Sequence, residues 1–357
     1  MTHKDRSRGT ARGMVLGMAV AAGLALAWAV PAAAQAPAVL DAVIGNNFGH
    51  LPMFVGVEKG LFRQHGVDVR LKVVNTGTDM VNAMQKREVQ IGDMSVTTFI
   101  KARHHGDPLK VIAIIMNDAT ARAFDEPLAI VARKGSGIRP GALEDLKGKR
   151  IGLAKEQTSD EFFKMALNRR GMKYTDVTIE NIMAPPALAP ALAEGKVDAI
   201  VSWEPFNTMV LERVPESYVV LRGGGHLSYI MVATAHEPTI QGSPQVVRNF
   251  ITGLAAASQY TRQHREEAVE IFSKWVPNVD LAIAKKAIQH IRYDPRISKY
   301  SIQAFEEAQE DVLKLTLTNA PRRLNIPEQF VASFLEEVQR THPQYFSDLA
   351  PLPADAR

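Results

Sequence analysis

The chain has 357 residues, 46% hydrophobic and 22% charged, too many for one ordinary domain and apolar enough for two cores. Its net charge is only +4, and no Lys/Arg cluster with interleaved aromatics follows the N-terminal segment, which excludes a nucleic-acid-binding reading. It contains no cysteine, which excludes disulfides, thiolate chemistry, Cys-ligated zinc and iron–sulfur clusters.

Lys4, Arg6, Arg8 and Arg12 precede an apolar run from Met14 to Val30. Pro31-Ala32-Ala33-Ala34 then supplies small residues for a cleavage site. Residues 1–34 read as a secretory signal peptide, cleaved after Ala34. The arginines are not paired, so the twin-Arg route is not indicated, and without cysteine there is no lipid anchor. No later stretch is long and apolar enough to span a bilayer. The mature protein is expected in the periplasm.

A short strand at Ala42-Val43-Ile44 ends in a turn at Asn46-Asn47-Phe48, since Asn and Gly tolerate turn geometry. Residues 52–64 predict a helix capped at Gly66. Residues 67–74 alternate as a strand, and Thr76-Gly77-Thr78-Asp79 starts a helix with Met80, Val81 and Met84 on its apolar face. Residues 90–94 are a third strand, after which Ser95 to Thr97 lead into a helix through His105. Residues 109–116 are a fourth strand, followed by Asn117-Asp118. Three successive strands thus end in turns of amides, hydroxyls and glycine. Their helix N-termini favour negative charge, so a cleft lined by them suits a small anion or zwitterion.

Residues 127–133 read as a strand crossing to a second lobe. Residues 149–205 then read strand, helix, strand, helix, strand, a parallel-sheet pattern with helical crossovers. Thr158 with Glu161 fits a capping box, and Phe162, Phe163, Ala166 and Leu167 form the helix's buried face. Ligands in such sheets sit beyond the carboxyl ends of the strands, which makes Thr158-Ser159 and Trp203-Glu204 candidate binding edges. Residues 229–235 read as a second crossover strand. From Ser243 onward the pattern is helical, and this tail is expected to cover the first lobe's sheet.

The motifs Pro52 to Phe62, Gly66-Val67-Asp68-Val69, Asp145 to Gly152, Gly195-Lys196-Val197-Asp198-Ala199 and Trp203-Glu204-Pro205 stand in a telling order. Over roughly residues 39–235 the chain resembles the periplasmic substrate-binding proteins of ABC importers, in the nitrate/sulfonate/taurine group that also includes pyrimidine-precursor binders. The resemblance implies a two-lobed α/β periplasmic-binding-protein fold of type II, with two crossover segments and a helical tail. The first lobe would comprise residues 39–126 and 230–357, the second 127–229. It implies a monomer that needs no cofactor or metal, closes on a small molecule by hinge motion, and delivers it to an ABC permease with its ATPase subunits.

Carried over residue by residue, the implied site is Asn46, Asn47, Phe48, Thr76, Gly77, Thr78, Ser95, Thr97, Asp118, Thr158, Ser159, Trp203 and Glu204. Trp203 would stack on or wall off an apolar part of the ligand. If Glu204 or Asp118 faces the cleft, a ligand ammonium and hence an aminosulfonate-like zwitterion is favoured; if neither does, a simple anion is better. Arg122, Lys155 and His50 are the nearest cations in sequence, and for each the surface-charge reading leads.

No catalytic motif stands out: there is no Gly-x-Ser-x-Gly elbow, His-Glu-x-x-His helix or phosphate-binding Lys loop. His104-His105 are adjacent and do not share a helix face for chelation. Fungal pyrimidine-precursor synthases resemble this fold but carry a Cys-rich motif that is absent here. A binding protein is the expectation, with an exported enzyme or a ligand sensor on the same scaffold as alternatives.

Overall fold

The computed structural model describes residues 36–315 and 323–357, so the signal peptide expected over 1–34 lies outside the described residues. The chain opens with β1 (Ala38–Gly45), α1 (Leu51–Glu58), α2 (Leu61–Gln64), β2 (Val67–Val74), α3 (Gly77–Gln85), β3 (Ile91–Ser95), α4 (Val96–His104) and β4 (Leu109–Met116). The single helix expected over 52–64 is in fact two. Gly60 adopts φ 66°, a left-handed conformation that glycine takes without a Cβ penalty, and it breaks the helix there.

The next group is β5 (Leu128–Ala132), β6 (Arg150–Leu153), α5 (Thr158–Arg169), β7 (Thr178–Asn181), α6 (Leu188–Ala193), β8 (Ala199–Trp203), α7 (Phe206–Arg213) and β9 (Tyr218–Arg222). Pro190 lies in the first turn of α6, where its missing N–H would be unpaired in any case. After β10 (Met231–His236) come α8 (Glu237–Gly242), α9 (Pro244–Gln263), α10 (Arg265–Trp275), α11 (Leu281–Ala287), α12 (Lys299–Leu315) and α13 (Ser333–Thr341).

The strands form two five-stranded sheets, ordered β2-β1-β3-β10-β4 and β7-β6-β8-β5-β9. β1 pairs in parallel with β2 and β3, and β6 with β7 and β8. β10 and β5 run antiparallel to their neighbours. The chain therefore passes between the sheets twice, before β5 and before β10. Strands buried on both faces read as continuous apolar runs, as in the buried strands β4 and β5.

The tail covers the first sheet, with α9 against β2 and β4, and α12 against α4. It also reaches the second sheet's helices: α11 packs on α7, where Lys286 Nζ donates to Glu212 at 2.7 Å. One hydrophobic cluster runs through both sheets, so the tail's cover of the first sheet is continuous with the packing of the second. No helix among the described residues is long and apolar enough to cross a membrane.

Candidate functional site

The carboxyl ends of β1, β2, β3, β6 and β8 converge on a small cavity between the sheets. It is lined by Asn47, His50, Asn75, Gly77, Met80, Ser95, Thr98, Gln157, Thr158, Trp203, Tyr229 and Met231, and offers about 30 Å³. A wider groove of about 350 Å³ lies between α5 and α12, edged by the exposed Arg169, Glu307 and Lys314. The smaller cavity is the better candidate because the turns and helix starts of both sheets meet there.

Local sequence builds the first-sheet wall. Thr76 caps α3 by accepting from Asp79 N at 3.2 Å, and Ser95 caps α4 by accepting from Thr98 N at 3.2 Å. The other wall closes onto it through hydrogen bonds across the cleft. Gly77 N donates to Gln157 Oε1 at 3.0 Å, and Gln157 Nε2 donates to Thr78 Oγ1 at 3.4 Å. Thr158 Oγ1 donates to Ser95 Oγ at 3.0 Å. Lys101 of α4 forms a salt bridge with Glu161 of α5, and its Nζ donates to Glu156 O at 2.6 Å.

These contacts correct the expected capping box. The N-cap of α5 is Gln157 without a side-chain cap bond, Thr158 is the first helical residue, and Glu161 faces Lys101. Partners from the opposite wall outcompete the local ones. Thr158→Val therefore removes a bond across the cleft, not a cap. We expect affinity for a captured solute to fall about 2- to 10-fold, matching roughly 0.5–1.5 kcal/mol for one hydrogen bond. Ser95 keeps Thr98 Oγ1 at 3.0 Å, so the thermal midpoint is expected to stay close to wild type; titration calorimetry with a thermal melt checks both.

Deepest in the cavity, His50 Nδ1 lies 2.8 Å from Asp93 Oδ2, and both side chains are buried. Gly45 leaves room for the ring: a Cβ there would stand 2.5 Å from His50 Nε2. Burial pushes the Asp93 carboxyl above its usual range, against the opposing pull of His50. Burial, reinforced by Asp93, also raises the Tyr229 phenol. His50 Nε2 and the Trp203 indole Nε1–H are buried without a hydrogen-bond partner. His50 is thus no surface charge. Arg122 is, paired with Asp355 at 2.6 Å.

Of the thirteen expected site residues, Asn47, Gly77, Ser95, Thr158 and Trp203 line the cavity. Thr76 stands behind it as a cap, and Asn46 Nδ2 donates to Asn75 Oδ1 at 3.0 Å beside it. Thr78 is exposed on the outer side, Thr97 faces the wider groove, and Ser159 is buried with an unpartnered hydroxyl. Phe48 is a core residue, stacked on Phe272 at 4.3 Å. Asp118 Oδ1 accepts from Thr120 N at 3.0 Å and does not reach the cavity. Glu204 is buried away from it: Oε1 accepts from Arg222 Nη1 at 2.7 Å and Oε2 from Thr208 N at 3.1 Å. Neither carboxylate is free for a ligand ammonium.

A family model described as NMT1/THI5 like matches residues 47–268, which hold the cavity and both of its walls. The chain belongs to the NMT1/THI5-like family. It is 24% identical over 226 residues to a protein of Brucella abortus (strain 2308) named as a binding protein. That match covers 62% of this chain and 66% of the relative, just under two thirds of its length. It is 23% identical over 319 residues to a Saccharomyces cerevisiae protein named as a 4-amino-5-hydroxymethyl-2-methylpyrimidine phosphate synthase, covering 84% of this chain and 87% of the relative. Among solved structures, the periplasmic aliphatic sulphonate binding protein of Escherichia coli superposes with a TM-score of 0.70 at 17% identity. It covers 83% of this chain and 92% of that one. The likeness is one of fold, and this NMT1/THI5-like chain has the periplasmic-binding-protein fold.

Within that fold, sequence reading missed His50, Asn75, Met80, Thr98, Gln157, Tyr229 and Met231 as cavity residues. Two had a signal. His50 closes the turn that begins at Asn46-Asn47, and Gln157 immediately precedes Thr158 in a turn already singled out. Met80, Tyr229 and Met231 carry none, because apolar side chains on a cavity wall look like core.

Proposed function

We propose that this protein is the extracytoplasmic substrate-binding component of an ABC-type importer. It captures a small organic anion between its lobes and delivers it to a membrane permease served by ATPase subunits. The carrying observation is the cavity between the sheets, where His50 Nε2 and Trp203 Nε1–H are buried and unpaired while hydrogen bonds join the two walls. A buried N–H without a partner costs about 1–3 kcal/mol, which a ligand acceptor would recover only in the closed form. That difference in contacts is what drives closure on a ligand.

In this reading the lobes are residues 39–126 with 230–357, and 127–229; they hinge on the two connections between the sheets, and the protein works as an exported monomer. Glu204 and Asp118 are engaged elsewhere, so support for a taurine-like zwitterion falls away and a simple anion is favoured. The test is a thermal-shift panel of methanesulfonate, taurine, nitrate, bicarbonate, benzoate and neutral pyrimidines. At a hundredfold excess over Kd, a captured solute is expected to add about 2.7 kcal/mol to apparent stability. No shift with any class would sink the reading.

One observation favours a second reading, an exported enzyme on the same scaffold. The His50–Asp93 pair in this cavity has the geometry of an acid–base dyad, and the family includes relatives named as synthases. Mass spectrometry of the solute after prolonged incubation separates the two, since a binding protein returns it unchanged.

A further inference from the structure

The unpaired groups in the cleft constrain the charge state in which a ligand enters. Among the described residues, His50 is the only cation-forming side chain lining the cavity, and no Lys or Arg lines it. The elements against the ring bring Gly45 from β1, Met80 from α3, Asp93 from β3, and Tyr229 with Met231 from the start of β10. Of these only Asp93 and Tyr229 ionise, and Asp79 at the start of α3 is exposed. With His50 neutral and Asp93 ionised, the site carries one negative charge and repels an anion in a low-dielectric setting. With His50 protonated, the pair is formally neutral, and Nε2–H becomes a second donor beside the Trp203 N–H.

We propose that the cleft takes up a proton with each monoanion it captures, held on His50 between the Asp93 carboxylate and the ligand. The proposal rests on the solute-binding reading above and deepens it. Nδ1–H faces Asp93, Nε2–H faces the anion, and no covalent bond changes. The ligand is a small anion whose oxygens accept from His50 and Trp203. A strong-acid anion therefore brings a proton from solvent, and its affinity falls as pH rises. The slope approaches about tenfold in Kd per pH unit.

A second buried carboxyl held above its usual range by burial, Glu161, sits at the Lys101 contact between the two walls. The experiment separates the two. Methanesulfonate and nitrate keep their charge from pH 6 to pH 8, so protons taken up on binding belong to the protein. Titration calorimetry in buffers of different ionisation enthalpy is expected to give uptake rising toward one proton per anion, and the uptake is expected to persist when Lys101→Met and Glu161→Leu remove both charges of that contact together. In His50→Gln the imidazole that takes up the proton is gone, so uptake is expected to vanish. Imidazole resonances of the wild-type protein give an independent reading: one histidine is expected to shift its midpoint upward when methanesulfonate is added. Anion binding with a flat Kd, no proton uptake and no shifted imidazole would overturn this proposal and leave the solute-binding reading standing. Capture of neutral heterocycles alone would overturn it as well. A cleft that binds none of these would overturn both.

Discussion

Lys101→Ala is expected to hold the lobes apart and weaken solute capture by 100-fold or more. Lys101 projects from α4 and Glu161 from α5, and they meet where the cleft closes, Glu161 only 3% exposed. Burial raises the Glu161 carboxyl above its usual range, while Lys101 and a Thr97 hydrogen bond oppose that shift. Removing one partner of a buried pair leaves an uncompensated charge and costs about 3–5 kcal/mol. In the proposed closure the closed form carries this cost, because separated lobes would let water reach Glu161.

The pH dependence of that variant follows from the direction of the shift. A carboxyl whose value is raised in the closed form favours closure below its ordinary value. It loses that advantage as pH rises through the raised one. Capture by Lys101→Ala should therefore recover on acidification. Lys101→Met combined with Glu161→Leu removes both charges and is expected to restore most of the closure. Small-angle scattering with and without ligand, together with Kd, checks these expectations; a Lys101→Ala protein that scatters and binds like wild type would refute the role given to this contact.

Arg222→Ala is expected to cost about 3–5 kcal/mol of stability, for a related reason in a different place. Glu204 is 1% exposed, and its only cationic partner among the described residues is Arg222 of β9. Without Arg222 the carboxylate keeps one backbone N–H from Thr208 and no counter-charge. Adding Glu204→Gln should recover much of the loss, since an amide oxygen still accepts from Thr208 N and carries no charge to bury. Urea unfolding measures both variants. An unchanged midpoint in Arg222→Ala would mean that water reaches Glu204 after all.

The same residue shows how far the sequence could be read. Trp203-Glu204-Pro205 was legible as the end of a strand on the binding side, and Trp203 does line the cavity. Glu204, next in the chain, turns into the core toward Arg222. Adjacent residues at a strand end point to different sides, and which side holds the ligand depends on the packing of β9, unknown to the local pattern. Asn47 and Phe48 repeat the lesson: the amide lines the cavity, while the ring stacks on Phe272 from a helix far along the chain.

By itself the sequence determined the alternation of strands and helices, the helix starts at Thr76 and Ser95, and hence two α/β layers with polar turns at their carboxyl ends. These are local properties, set by side-chain periodicity and by hydrogen bonds between residues three apart. Only the tertiary structure decided which polar groups are spent and which are left over. Thr158 bonds to Ser95, Glu161 pairs with Lys101 and His50 meets Asp93, each joining segments that folding brings together. A buried polar group takes the best partner within reach, and reach is fixed by how the two sheets face each other. Among the polar groups of the cavity, the Trp203 N–H and His50 Nε2 are left unpaired, and the proposed function puts the ligand against them.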